Sequence, residues 1–130
     1  MRIGLIGVFD LYHRGHVELL NKAGALGELV VLIVSDEAVR QYKGSTRPIY
    51  NIEDRTKLIK SHKKVVKTIE VDKFEVPDAI IKQYCVDFWI IGEDQKHIDF
   101  SNIPSNKIIY FPRFKGVSTT DIIKKIKGEV

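Results

Sequence analysis

The apolar positions of this chain change their spacing repeatedly, from short unbroken runs to stripes three or four apart and back. Residues 3–8 form a short apolar run bounded by turn residues, which predicts a buried strand. From residue 15 to 26, Val17, Leu19, Leu20, Ala23 and Leu26 fall close to one helical stripe that stops near Gly27. VVLIVS, residues 30–35, is rich in β-branched side chains and predicts a second strand. Residues 37–42 suit a short helix, and KGSTRP, residues 43–48, a loop. A longer helix is expected over 52–62, with Asn51 as its cap. Then come a strand at 67–71, a helix at 77–85, a strand at 87–91, a polar loop over 92–106, a strand at 107–111 and a helix over about 118–127.

Strand and helix therefore alternate from end to end, with no linker, repeat or low-complexity tract. That order predicts an α/β fold: a Rossmann-like, doubly wound parallel sheet of about five strands with flanking helices, in one domain over residues 1–130. Ligands of such sheets bind beyond the carboxyl ends of the strands, where the strand order reverses. The loops after Val8, Ser35, Ile91 and Phe111 are the ones to inspect, and they hold nearly all the unusual residues.

Composition narrows the setting. Hydrophobic residues make up 44% and charged residues 29%, an ordinary balance for a soluble globular protein. No run approaches the roughly 20 apolar residues of a membrane span, and the first ten residues lack the features of a signal peptide. A single cysteine, Cys85, leaves no internal disulfide, so a cytoplasmic location is expected, with Cys85 in the core. The net charge of +4 suits an anionic ligand as well as a merely soluble surface. SHKKVVK, residues 61–67, has no aromatic interleaving and resembles a solvated helix end more than a nucleic-acid patch.

The loop after the first strand, GVFDLYHRGH, places His13 and His16 at a helix start. As metal ligands they would need a third donor, for which only Asp10 is close; as ordinary histidines they need nothing further. As phosphate ligands they add N–H donors to a helix start already positive in potential, with Gly15 allowing close approach. A second such start lies at GVSTTDIIKKI, where Ser118 and Asp121 resemble a capping box. Arg113, Lys115, Gly116 and the hydroxyls of Thr119 and Thr120, expected to be uncommitted, crowd the same place. Arg55 is expected on the solvent side of its helix, where a surface pair with Glu53 or Asp54 is the plain alternative to a ligand role. Neither G-x-G-x-x-G nor G-x-x-x-x-G-K-[ST] occurs, which argues against a nicotinamide fold and a Walker loop.

Together these segments resemble the H-x-G-H nucleotidyltransferases, and within them the small cytidylyltransferase branch typified by the glycerol-3-phosphate enzymes. GVFDLYHRGHVELL is similar to that branch's G-T-F-D-L-x-H-x-G-H-x-x-L-L, and EDRTKLI to its E-x-R-x-x-I helix. DFWIIGED followed by IDF resembles its V-x-G-D-D loop, and YFPRFKGVSTTDI its closing P-R-T-x-G-I-S-T-T-x-I. The resemblance implies transfer of CMP from CTP to a phosphorylated alcohol, in a homodimer, with Mg²⁺ held mainly by the triphosphate and no metal site of the protein's own. It implies that His13 and His16 hold the α- and β-phosphates and that Arg113, with Ser118 and Thr119, cradles the β- and γ-phosphates. Gly7, Val8, Phe9, Asp10, Gly15, Gly92, Asp94, Gly116 and Val117 complete the expected nucleotide pocket; Lys43, Arg47 and Arg55 are expected at the acceptor, with Lys43 and Arg113 also catalytic. Val8, Gln95 and Phe114 stand where the glycerol-phosphate enzymes usually carry Thr, Trp and Thr, departures that bear on the acceptor and the base. KGSTRP and STTDIIKKI are also similar to heptose-phosphate adenylyltransferases, which take ATP and a sugar 1-phosphate; the GED…IDF and PRFKG segments favour CTP. A nucleotide-binding module without turnover and a nucleic-acid-binding domain are the rival classes.

Overall fold

A computed structural model describes residues 1–92, 95, 97–112 and 118–128. The chain runs β1 (Arg2–Gly7), α1 (Arg14–Gly24), β2 (Glu28–Val34), α2 (Asp36–Lys43), α3 (Ile52–Lys60), β3 (Val65–Val71), α4 (Asp78–Gln83), β4 (Phe88–Gly92), a 3-10 turn at Ser105–Lys107, β5 (Ile108–Phe111) and α5 (Thr119–Ile126). The strands form one parallel sheet in the order β3-β2-β1-β4-β5. The predicted doubly wound α/β architecture is the one observed, and every predicted strand and helix is present.

Side chains of a strand alternate between faces, and β2 shows this cleanly. Val30, Leu32 and Val34 join Val39, Ile80 and Trp89 in one core cluster; Leu29, Val31 and Ile33 join Leu20, Ala23 and Ile59 in the other. Residues of α2 and α4 thus cover one face, and residues of α1 and α3 the opposite one. A parallel sheet covered on both faces reads as an unbroken apolar run, which is why β2 was legible as a strand without any alternation. Gly4 belongs to this packing: a Cβ built there would lie 2.5 Å from the Trp89 ring, so the indole occupies the side-chain volume that glycine leaves empty. No helix among the described residues is long and apolar enough to cross a membrane.

Three local expectations fail for identifiable reasons. Helix α1 ends at Gly24 with Ala25 as its C-cap, so Leu26 falls outside the stripe and is exposed. Cys85 is exposed rather than in the core, because it follows α4 in a left-handed backbone conformation (φ 50°) at the turn into β4. Arg55 is the largest correction: it is not on the solvent side of α3 but wholly buried, with no exposed surface.

The helix turns Arg55 toward the carboxyl edge of the sheet, where strands end in carbonyls. Its Nη1 donates to the carbonyls of Val8 (2.9 Å) and Val34 (2.8 Å), its Nε to that of Tyr50 (3.0 Å), and its Nη2 to the Asp36 carboxylate (2.6 Å). Asp36 in turn accepts the amide of Ile52 at 3.2 Å, so the start of α2 and the start of α3 share one charge pair. With four of its five N–H donors committed to structure and no exposed surface, Arg55 does not take the acceptor-ligand place expected of it. Arg55→Lys keeps the charge but cannot serve four acceptors with one ammonium. It is expected to lower the unfolding free energy by about 3 kcal/mol, the scale of breaking a buried pair. Urea denaturation reads this, and an unchanged midpoint would return Arg55 to a ligand role.

Candidate functional site

Past Gly7 the chain must turn sharply, and it does so with Phe9 and Leu11 both in the left-handed region (φ 55° each). Asp10, 2% exposed, makes that turn possible. Its carboxylate accepts the amides of Leu11 (3.0 Å), Ile49 (2.7 Å) and Tyr50 (2.9 Å), which draws the 47–50 loop onto the end of β1. Arg47 lies behind it, with Nε 3.9 Å from Oδ2. Arg47 was expected at the acceptor, but it does not line the cavity described below; it sits as the counter-charge of a buried carboxylate.

Helix α1 opens with a reciprocal cap made by its two histidines. The Nδ1 of His13 accepts the amide of Gly15 at 3.1 Å, and the Nδ1 of His16 accepts the amide of His13 at 3.1 Å. A nitrogen accepting an N–H carries no proton of its own, so each neutral ring must hold its hydrogen on Nε2. The rings stack with centroids 3.8 Å apart, and the edge of Phe9 closes on His16 at 5.5 Å. Burial lowers the pKa of His13, and burial followed by the neighbouring His13 pushes His16 down to about 3. At neutral pH the pair therefore offers two uncharged Nε2–H donors at a helix start, where the backbone already favours an anion.

Helix α5 begins beside it. Ser118 caps it as predicted, its Oγ accepting the amide of Asp121 at 3.1 Å. The Thr119 hydroxyl, expected to be uncommitted, instead donates to the carbonyl of Asp10 at 2.8 Å. That bond joins residues 109 positions apart and fastens the start of α5 to the loop that carries the histidines.

Between these elements lies a cavity of about 460 Å³, a fitting size for a small-molecule ligand. Of the residues singled out in the sequence, Gly7, Val8, Phe9, Asp10, His13, Gly15, His16, Lys43, Gly92, Ser118 and Thr119 line it. Asp94, Arg113, Gly116 and Val117 lie outside the described residues, as does Phe114. Gln95, Thr120 and Asp121, also noted in the sequence, line it too, and the lining adds Leu19, Lys22, His97, Ile98, Phe111 and Pro112. Phe111 and Pro112 follow the end of a parallel strand, a position the sheet rule already marks. His97 belongs to the loop that the sequence marked by its GED and IDF segments and by Gln95. His97 is stacked on Tyr42 (4.8 Å, 15°) and edge-on to Phe74 (5.1 Å), contacts between three distant segments that no local pattern announces. Among the described residues no three His, Cys, Asp or Glu side chains converge on a metal position.

The depressed pKa of His16 has a stability consequence. The unfolded ring takes up its proton near pH 6.5, whereas the folded one stays neutral until about 3. The stability that the fold draws from a neutral His16 is full above the unfolded value and drains away as pH falls toward the folded one. The loss runs at up to about 1.4 kcal/mol per pH unit. His16→Asn should lack this slope, so wild-type stability should fall more steeply than the variant's between pH 7 and 4.5 in urea titrations. Parallel curves would show that His16 is not held neutral.

Comparison with known proteins places the chain among relatives by sequence and fold. The sequence pattern of the family described as cytidylyltransferase-like matches residues 5–125. The bifunctional protein HldE of Wolinella succinogenes is 38% identical over 126 residues, a stretch that takes in 94% of this chain and 26% of that protein. The chain thus spans about a quarter of the length of such relatives. The glycerol-3-phosphate cytidylyltransferase of Staphylococcus aureus is 28% identical over 129 residues, covering 98% of this chain and 96% of that enzyme. Among solved structures, the lipopolysaccharide core biosynthesis protein from Thermoplasma volcanium GSS1 superposes with a TM-score of 0.70 at 28% identity, covering 88% of this chain and 98% of that one. With the match running from Leu5 to Lys125 and across both helix starts, the chain belongs to the cytidylyltransferase-like family.

Proposed function

We propose that this protein is a nucleotidyltransferase that moves CMP from CTP to the phosphate of a small phosphorylated alcohol, giving a CDP-alcohol and pyrophosphate. The observation that carries this reading is the reciprocal histidine cap: two neutral imidazoles presenting Nε2–H at one helix start, with a second helix start tied beside them. An acceptor phosphate oxygen attacks the α-phosphorus in line, and the bond from that phosphorus to the bridging oxygen breaks, its electron pair leaving with pyrophosphate. Nothing in this step needs a covalent intermediate or a base, because the attacking oxygen is already ionised. Positioning and neutralisation of growing negative charge suffice. His13 and His16 donate to the α- and β-phosphate oxygens, and their donors keep the same orientation in ground and transition states because the cap fixes both rings.

Lys43 lines the cavity from the end of α2 and supplies positive charge where the two substrates meet. By the family resemblance, Arg113 and Gly116 belong with Ser118 and Thr119 to the cradle for the β- and γ-phosphates, and Asp94 to the pocket for the base. In that cradle Thr119 acts chiefly through its backbone amide, since its hydroxyl donates within the fold, whereas the Ser118 hydroxyl accepts an amide and keeps its hydrogen for a phosphate oxygen. Asp10, the buried carboxylate of the loop before the histidines, accepts three backbone amides and so is no open ligand for a hard cation. Mg²⁺ would enter this site with the triphosphate rather than on a cluster of protein carboxylates, and would supply charge neutralisation there. The protein works as a cytoplasmic homodimer, the assembly that the family resemblance implies. A second reading, ATP with a sugar 1-phosphate, draws support from the 38% identity to the HldE protein of Wolinella.

Pyrophosphate release with CTP or ATP and a panel of polyol and sugar phosphates tests the proposal, and release with no pair would refute it. His13→Ala and His16→Ala are each expected to lower kcat by about 10²- to 10³-fold, the usual effect of removing one oriented donor. Single-turnover rates would read the loss. If either variant keeps wild-type turnover, the histidine pair has no part in the transfer.

A further inference from the structure

In the parallel sheet, β1 and β4 are neighbours at the place where strand order turns. They pair only near their amino ends, at Ile3–Phe88 and Gly4–Trp89. On either side of that seam the pairing runs to the strand ends: β1 follows β2 as far as Gly7–Ile33, and β4 follows β5 as far as Gly92–Phe111. The two halves of the sheet therefore part toward their carboxyl ends, and each half carries its own strand end into the cavity through Gly7 and Gly92. Parted strands leave amides and carbonyls facing a gap, and those groups need partners.

One side chain spans the gap. The Oε1 of Gln95 accepts the amide of Gly92 at 2.9 Å, and its Nε2 donates to the carbonyl of Ile6 at 2.8 Å. A side-chain amide thus stands where a peptide group would have joined the strands. The role asks for an acceptor and a donor on one planar group, which among side chains of this length only glutamine provides. A carboxylate has no hydrogen for Ile6, and an aliphatic chain has neither group. Gln95 also lines the cavity, so the bridge is the floor of the parting as well as its brace.

The geometry points to Gln95 as a positioning residue for the nucleotide: its amide sets the separation of β1 and β4 and with it the seat of the nucleoside. This rests on the nucleotidyl-transfer reading above. The phosphates lie at the two helix starts, so the nucleoside end extends into the parting, where ligands of doubly wound sheets are held. Gln95 acts through the two strand ends rather than on the reacting phosphorus. Its loss therefore falls on nucleotide binding and leaves the chemical step nearly intact.

Two variants test this, by steady-state pyrophosphate release and by direct titration with CTP and ATP. Gln95→Leu removes both bonds and is expected to raise the nucleotide KM about tenfold at every pH, the equivalent of one or two hydrogen bonds. The acceptor KM and kcat should move less than about twofold. Gln95→Glu should match that defect at pH 8, where its carboxylate faces the Ile6 carbonyl. It should recover several-fold relative to wild type at pH 5, where a protonated carboxyl can again donate. Recovery of this kind distinguishes the bridge from a general loss of folding, which protonation would not repair. If Gln95→Leu binds nucleotide like wild type, if it loses acceptor and nucleotide affinity equally, or if Gln95→Glu shows no recovery at low pH, the inference is overturned. Wild-type protein that binds neither nucleotide would overturn the transfer reading itself, and the inference with it.

Discussion

A parallel sheet ends in unpaired peptide groups at its carboxyl edge, and this protein resolves that problem with two buried charges of opposite sign. Arg55 gathers carbonyls from the ends of β1 and β2 and from the loop before α3. Asp10 gathers amides from its own turn and from that same loop. Each ion is surrounded by the dipole ends that suit it, with Asp36 and Arg47 as counter-charges. Burying either charge alone would be costly; held this way, the two fix the backbone from which every cavity-lining segment of the first half departs.

The histidine pair depends on that frame. His13 can cap α1 only if the turn before it has the conformation that Asp10 imposes, and the Asp10 carbonyl is also what Thr119 grips from α5. The choice of imidazole follows from the same geometry. A lysine or arginine at a helix start would carry a full charge next to the positive end of the dipole. A buried imidazole gives up its charge and keeps a directed N–H, and capping through Nδ1 decides which nitrogen bears it. Neutral donors suit a site where negative charge is received from the ligand, not supplied by the protein.

Gln95 is a smaller instance of the same logic on the other half of the sheet. There the strands part, and a neutral amide satisfies one donor and one acceptor across the gap. The cavity is thus bounded by an anion-bound turn, a capped helix start and an amide bridge, each answering a backbone group that the fold would otherwise leave without a partner.

The sequence by itself determined the sheet, the helices and both helix starts, because these follow from local spacing: apolar runs, a 3.6-residue stripe, Ser118 and Asn51 in cap positions. It also marked the cavity's main residues, since the ends of parallel strands must face the ligand. Only the tertiary structure decided what the polar residues do once there. Arg55 has the look of a surface residue in EDRTK, and Arg47 and the Thr119 hydroxyl the look of ligands, until distant carbonyls and a buried carboxylate claim them. Gln95 stood out in the sequence only as a departure from the family pattern; its bridging role is silent there because both of its partners are backbone groups, one of them 89 residues away. Hydrogen-bond partners set by chain crossing leave no period in the sequence, and so the roles of these side chains emerge only when the strands are laid side by side.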